Sequence, residues 1–96
     1  LNPSEMGYYF HRGVALFHLG RHQEAMDDFS LSLAADPWNK VEILDFTGAI
    51  KFKSGDVKGA RKDVGEVVKK KNGHTSNLKL SPEEIESLLS NKKLNG

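Results

Sequence analysis

The sequence contains no cysteine. Disulfides, thiol catalysis and thiolate metal sites are therefore excluded. Without cysteine, a reducing and cytoplasmic setting is the expectation. No apolar run approaches the ~20 residues that a bilayer-crossing helix needs, so no membrane span is expected. Leu1 to Glu5 carries neither the basic start nor the apolar stretch of a secretory signal. A chain opening on Leu rather than Met reads as a fragment or a processed product. Proline is scarce, at 3 of 96 residues, which leaves long stretches free to be helical. Charge of one sign is also lacking. The net charge is +1, and Val, Ile, Leu and Phe together make 25 residues, so wholesale disorder is not expected. The length fits one small domain.

An internal repeat is present. At an offset of 35 residues, Gly13 falls on Gly48, Phe17 on Phe52, Gly20 on Gly55 and Ala25 on Ala60. Phe29 falls on Val64, and Leu33 on Val68. The chain thus holds two copies of one unit, about 6–39 and 41–74, within a repeat region of 3–72.

Each unit reads as two helices. Asn2-Pro3-Ser4-Glu5 combines a cap, a proline at the first helical position and a glutamate three residues after the cap. Tyr9, Gly13, Leu16 and Phe17 follow at helical spacing up to Gly20. A second helix spans about His22 to Ala35, with Ala25, Met26, Phe29, Ser32 and Leu33 inward, and Asp36-Pro37 ends it. Asn39 and Glu42 open a third helix that runs to Gly55. Asp56 caps a fourth, with Val57, Ala60, Val64, Val67 and Val68 inward. Lys69, Lys70 and Lys71 suit its carbonyl end, and Asn72-Gly73 stops it. Gly13 with Ala25, and Gly48 with Ala60, are expected where the paired helices cross, because larger side chains would force the backbones apart. Gly59 and Gly65 are expected on the outer face. Residues 73–80 form a polar connector. Ser81, Pro82 and Glu84 then announce a fifth, capping helix in the segment 81–92, with Leu80 stapled to Ile85. The fold class expected is all-α, with about five helices in antiparallel helix-turn-helix repeats.

The first unit resembles a tetratricopeptide repeat. Tyr9, Arg12-Gly13, Leu16, Gly20, Glu24-Ala25, Phe29 and Asp36-Pro37 stand where that family has its signature. Arg12 replaces a usual Leu, and Ser32 a usual Ala. The second unit follows less closely, through Leu44, Thr47-Gly48, Lys51, Gly55, Ala60 and Val64, with Asn72 in place of the closing Pro. The resemblance implies an α-α superhelix and a non-catalytic protein-interaction module or scaffold. Its first helices would line a concave groove for a partner's peptide or helix. By position, that groove would be Phe10, His11, Val14, Phe17 and His18 from one unit. Glu42, Asp45, Phe46, Ala49, Phe52 and Lys53 would come from the other. Phe10 and Phe46 are the preferred groove aromatics, while Phe17 and Phe52 fit groove or core equally. Such a wall suits apolar anchors on the partner. The acidic C-terminus of heat-shock chaperones is not the expected partner, because Phe10, Val14 and Phe46 replace the Lys and Asn of that carboxylate clamp.

Catalysis and cofactors are not expected. His18 and His22 have zinc-helix spacing, but Leu19 stands where a metalloprotease needs Glu, and Gly20 interrupts the helix. His11 and His18 lie roughly 10 Å apart along a helix. Gly55 to Gly59 lacks phosphate-loop spacing. The alternative function is electrostatic. Residues 51–71 carry eight basic against three acidic side chains, a balance of +5, while residues 1–39 carry two against five, a balance of −3. A basic fourth helix could meet nucleic acid or an anionic membrane, but no aromatics interleave with its lysines, so nucleic acid is an unlikely partner by sequence. Uncovered repeat ends could also self-associate, which leaves a monomer or a weak homodimer.

Overall fold

The computed structural model describes residues 7–35 and 39–90. These residues form five helices and no strand: α1 (Gly7–His18), α2 (His22–Ala35), α3 (Lys40–Ser54), α4 (Val57–Lys70) and α5 (Pro82–Leu89). The chain is all-α. The cap at Asn2–Glu5, the Asp36-Pro37 stop and the tail 91–96 lie outside the described residues.

α1 and α2 pair as an antiparallel hairpin, and so do α3 and α4. The two hairpins repeat each other's hydrogen bonds at the sequence offset of 35. Gly20 N–H donates to Phe17 O and Arg21 N–H to Leu16 O; Gly55 N–H donates to Phe52 O and Asp56 N–H to Lys51 O. This is a helix stop with a left-handed residue after the cap, and Gly20 (φ 81°) and Gly55 (φ 94°) adopt that conformation without a Cβ penalty. Ala25 N–H to Arg21 O is matched by Ala60 N–H to Asp56 O.

The hairpin crossings are as close as the glycines suggested. A Cβ on Gly13 would lie 2.8 Å from Phe29 Cε1, and one on Gly48 would lie 2.7 Å from Val64 Cγ2. Gly65 differs from its expected outer position: it faces Leu89 of α5, whose Cδ2 would be 3.8 Å from an added Cβ. The fifth helix packs on α4 there, so Gly65 makes room for it.

Each hairpin also holds one buried carboxylate, at equivalent positions. Asp28 (3 % exposed) takes two hydrogen bonds from the Arg12 guanidinium, at 2.6 and 2.8 Å. Asp63 (6 % exposed) takes one from Thr47 Oγ1 at 2.8 Å and pairs with Lys51 Nζ at 2.9 Å. Thr47 is the repeat counterpart of Arg12. The donor changes, but the carboxylate stays satisfied in both units, as a buried charge requires.

α3 is the central element. Ile43, Leu44, Phe46, Thr47, Gly48, Ala49 and Ile50 are all buried, so this helix is covered on most of its circumference. One core cluster joins the hairpins through Ala25, Phe29, Ile43, Phe46 and Ile50. A second gathers Ala49, Ala60, Val64, Leu80, Ile85 and Leu88. α5 enters the latter through a complete capping box between Ser81 and Glu84, with Pro82 in the first turn. Leu80 and Ile85 flank that cap and are both buried.

Candidate functional site

The candidate site is the face shared by α1 and α3. Helical spacing brings Phe10, Val14 and Phe17 of α1 to one side, and Asp45, Phe46, Ala49 and Phe52 of α3 beside them. The rings of this face interlock. Phe46 stacks on Phe29 at 5.1 Å and meets Phe17 edge-on at 5.1 Å and Phe10 edge-on at 6.3 Å. Phe17 also stacks on His22 at 5.5 Å. Such geometries are favourable for aromatic pairs and hold the two hairpins in register.

The predicted groove residues therefore divide into a floor and a surface. Phe46 is 7 % exposed and Ala49 is fully buried. Phe46, expected as a preferred groove aromatic, exposes little of its ring: Phe29 stacks on it and Phe17 meets it edge-on, which makes it the floor of this face. Ala49 is likewise core, packed in the cluster with Ala60 and Val64. Phe10, Val14, Phe17 and Phe52 are half-buried and pack against these clusters. His11, His18, Glu42 and Lys53 are exposed. Ring edges and polar rims are what this face offers to solvent.

Part of the face is covered by the chain itself. The Lys79 backbone N–H donates to Asp45 Oδ1 at 3.0 Å, and Lys79 Nζ lies 3.9 Å from Asp45 Oδ2. The same ammonium sits 4.7 Å from the centre of the Phe46 ring. Leu78 packs beside them on the second core cluster. A depression of about 160 Å³ remains between α3 and this strap, with Val41, Glu42, Lys71 and Asn77 at its rim. Burial pushes the Asp45 carboxyl above its ordinary value, and the Lys79 N–H partly opposes the shift.

Sequence reasoning missed the strap and the Arg12–Asp28 pair. The pair had a visible signal, because positions 28 and 63 are both Asp at the repeat offset. The strap had none, since a polar connector does not announce where it docks. Elsewhere, Arg12 Nη1 also donates to the Tyr8 hydroxyl at 2.7 Å, and Asp28 holds this guanidinium more firmly protonated than usual. Basic groups of the charge-rich region serve the fold: Lys51 pairs with Asp63 and Arg61 Nε donates to Leu88 O, while Glu66 of that region pairs with Lys40 of α3. Among the described residues no group of three or more His, Asp or Glu is placed to hold a metal ion. No described helix is long and apolar enough to cross a membrane. Comparison of the chain with family models, curated proteins and solved structures yields no match in any of the three.

Proposed function

We propose that the chain is a tetratricopeptide-repeat-like module that binds a partner protein, non-catalytically, on the face formed by α1 and α3. The partner contributes an extended peptide or one helix with apolar anchors. The observation that carries this reading is the exact-offset duplication of the hairpin, down to its turn hydrogen bonds and its glycine crossings. Duplicated hairpins stack with their first helices side by side and leave those helices one face free. Here that free face has an aromatic floor and a mixed polar rim, the composition that suits an anchored peptide. Asp45, Glu42 and the histidines at its edge do not suit the acidic chaperone tail. A role as adaptor or scaffold inside the cell follows from this reading.

The test is selection from a displayed random-peptide library with the full chain. Peptides bearing Leu, Ile or aromatic anchors should be enriched. Val14→Asp, which places a charge on the half-buried α1 stripe, should weaken them at least tenfold in calorimetric titration, with the helical circular dichroism retained. Enriched peptides that bind this variant as tightly as the original chain would move the site off this face.

A further inference from the structure

The strap at 77–79 shows what the α3 face accepts. It lies on two groove positions, Asp45 and Phe46, and it satisfies both. Its ammonium lies 3.9 Å from a carboxylate oxygen and 4.7 Å from a ring centre at once, a setting that favours a cation over an acidic side chain. Glu42 adds a second acidic group at the same rim. The leucine before that lysine fills an apolar position on the neighbouring core. The strap is held differently from the segments around it. His74, Ser76 and Asn77 are exposed, and the turns before Leu78 are made by Asn72, Gly73 and Asn77 in left-handed conformations. Leu80, by contrast, is 3 % exposed and anchored with α5. The stretch 71–79 is thus a loop between two fixed points, touching the site through Leu78 and Lys79.

We propose that residues 78 and 79 act as a built-in competitor for the α3 face, and that the partner is an extended protein segment in which an apolar residue followed by lysine takes their place. This rests on the peptide-binding reading above and specifies its chemistry. Displacement leaves Leu80 and α5 in position, so the capped core survives while the loop swings out. The free chain keeps the aromatic floor covered, and only a segment matching the strap exposes it.

The probe is a labelled synthetic peptide with the sequence of residues 74–81, titrated by fluorescence anisotropy into the full chain. The unaltered chain should bind it weakly, because its own strap competes. Leu78→Ser with Lys79→Ala should bind it at least tenfold more tightly. Adding Asp45→Ala should abolish that gain, and the same peptide carrying Lys79→Glu should not bind. Should the double variant fail to fold, Lys79→Ala alone decides, since Leu78 and Leu80 remain. Equal affinity for the unaltered and strap-loosened chains, or a gain indifferent to Asp45→Ala, overturns the proposal. So does a strap-loosened chain that sediments as a dimer and excludes the peptide, which would make a second copy the occupant. Library peptides that bind α1 through Val14 but ignore the strap substitutions would leave the groove reading standing and defeat this one.

Discussion

At position 32 the chain buries a hydroxyl that finds no hydrogen-bond partner among the described residues. Ser32 is fully buried, and its repeat counterpart, Val67, is fully buried too. An unsatisfied buried hydroxyl costs about 1–3 kcal/mol, and Ala is the better helix former. Ser32→Ala should therefore stabilise the chain by about 1 kcal/mol and raise Tm by about 4–8 °C. Calorimetry that finds a lower Tm would mean that the hydroxyl has a partner after all. The opposite sign is expected at Gly48. A methyl there collides with Val64, and overpacking costs about 1–3 kcal/mol, more than the ~1 kcal/mol that helix propensity returns. Gly48→Ala should lower the denaturant midpoint, and Val64→Ala in the same chain should restore part of the loss; strictly additive losses would show that the two positions do not touch. Both expectations concern residues that the sequence already marked, one as a departure from the family pattern and one as a repeated glycine. Arg12 was marked as a departure as well. The repeated Asp at 28 and 63 hinted at a shared role for that position, but that Arg12 is the donor to Asp28, sixteen positions on, is visible only when the helices are crossed.

The elements were legible where their ends carry local chemistry. Gly20 and Gly55 stop α1 and α3, and Ser81 with Pro82 starts α5, because each satisfies orphan backbone groups or a backbone angle on the spot. Which helix face is covered is a different question. Phe46 repeats at the spacing of a groove residue, and equally at the spacing of a core residue. α3 is packed from both sides, so periodicity alone could not choose between them. Phe46→Ala should cost about 3–5 kcal/mol and unfold much of the chain, instead of sparing the fold while weakening a partner. Chemical denaturation separates the outcomes, and a variant within 1 kcal/mol of the parent would return Phe46 to the surface. The strap adds a pH dependence. Asp45 titrates above its ordinary 3.8 when folded, chiefly because it is desolvated. A raised carboxyl pKa contributes stability that is complete below the unfolded value and is lost as pH rises through the folded one. Asn keeps an acceptor for the Lys79 N–H without the charge. Asp45→Asn should thus melt above the parent at pH 7, by a margin that shrinks as pH falls toward 3.8. A margin constant over that range would show that the carboxyl is not desolvated.

At the scale of the molecule, two hairpins are fewer than the three units that usually close a helical-repeat core, and the end of such a stack needs a cover with a polar outer side. α5 has that form. Ile85 and Leu88 are 1 % exposed and Leu80 is 3 % exposed, while Glu83 and Glu86 of the same segment face solvent or its edge. The surface they close is Ala49, Ala60 and Val64, the heart of the second hairpin. α4 beneath it contains Gly59 and Gly65, each costing about 1 kcal/mol of helix propensity relative to Ala, so this hairpin depends on its cover more than the first does. Burying three aliphatic side chains contributes roughly 1.5–3 kcal/mol each before ordering costs, a large share of the ~5 kcal/mol expected for so small a fold. Truncation after Gly73 should accordingly melt the second hairpin, or drive pairing of two chains through the exposed Ala49–Ala60–Val64 surface. Sedimentation and thermal melting of the 1–73 fragment distinguish these from a third result. A monomer that melts as high as the parent would make α5 a tail and not a cover, and the stability of the second hairpin would then have to come from the packing of α3 on α4 and from its contacts with α1 and α2.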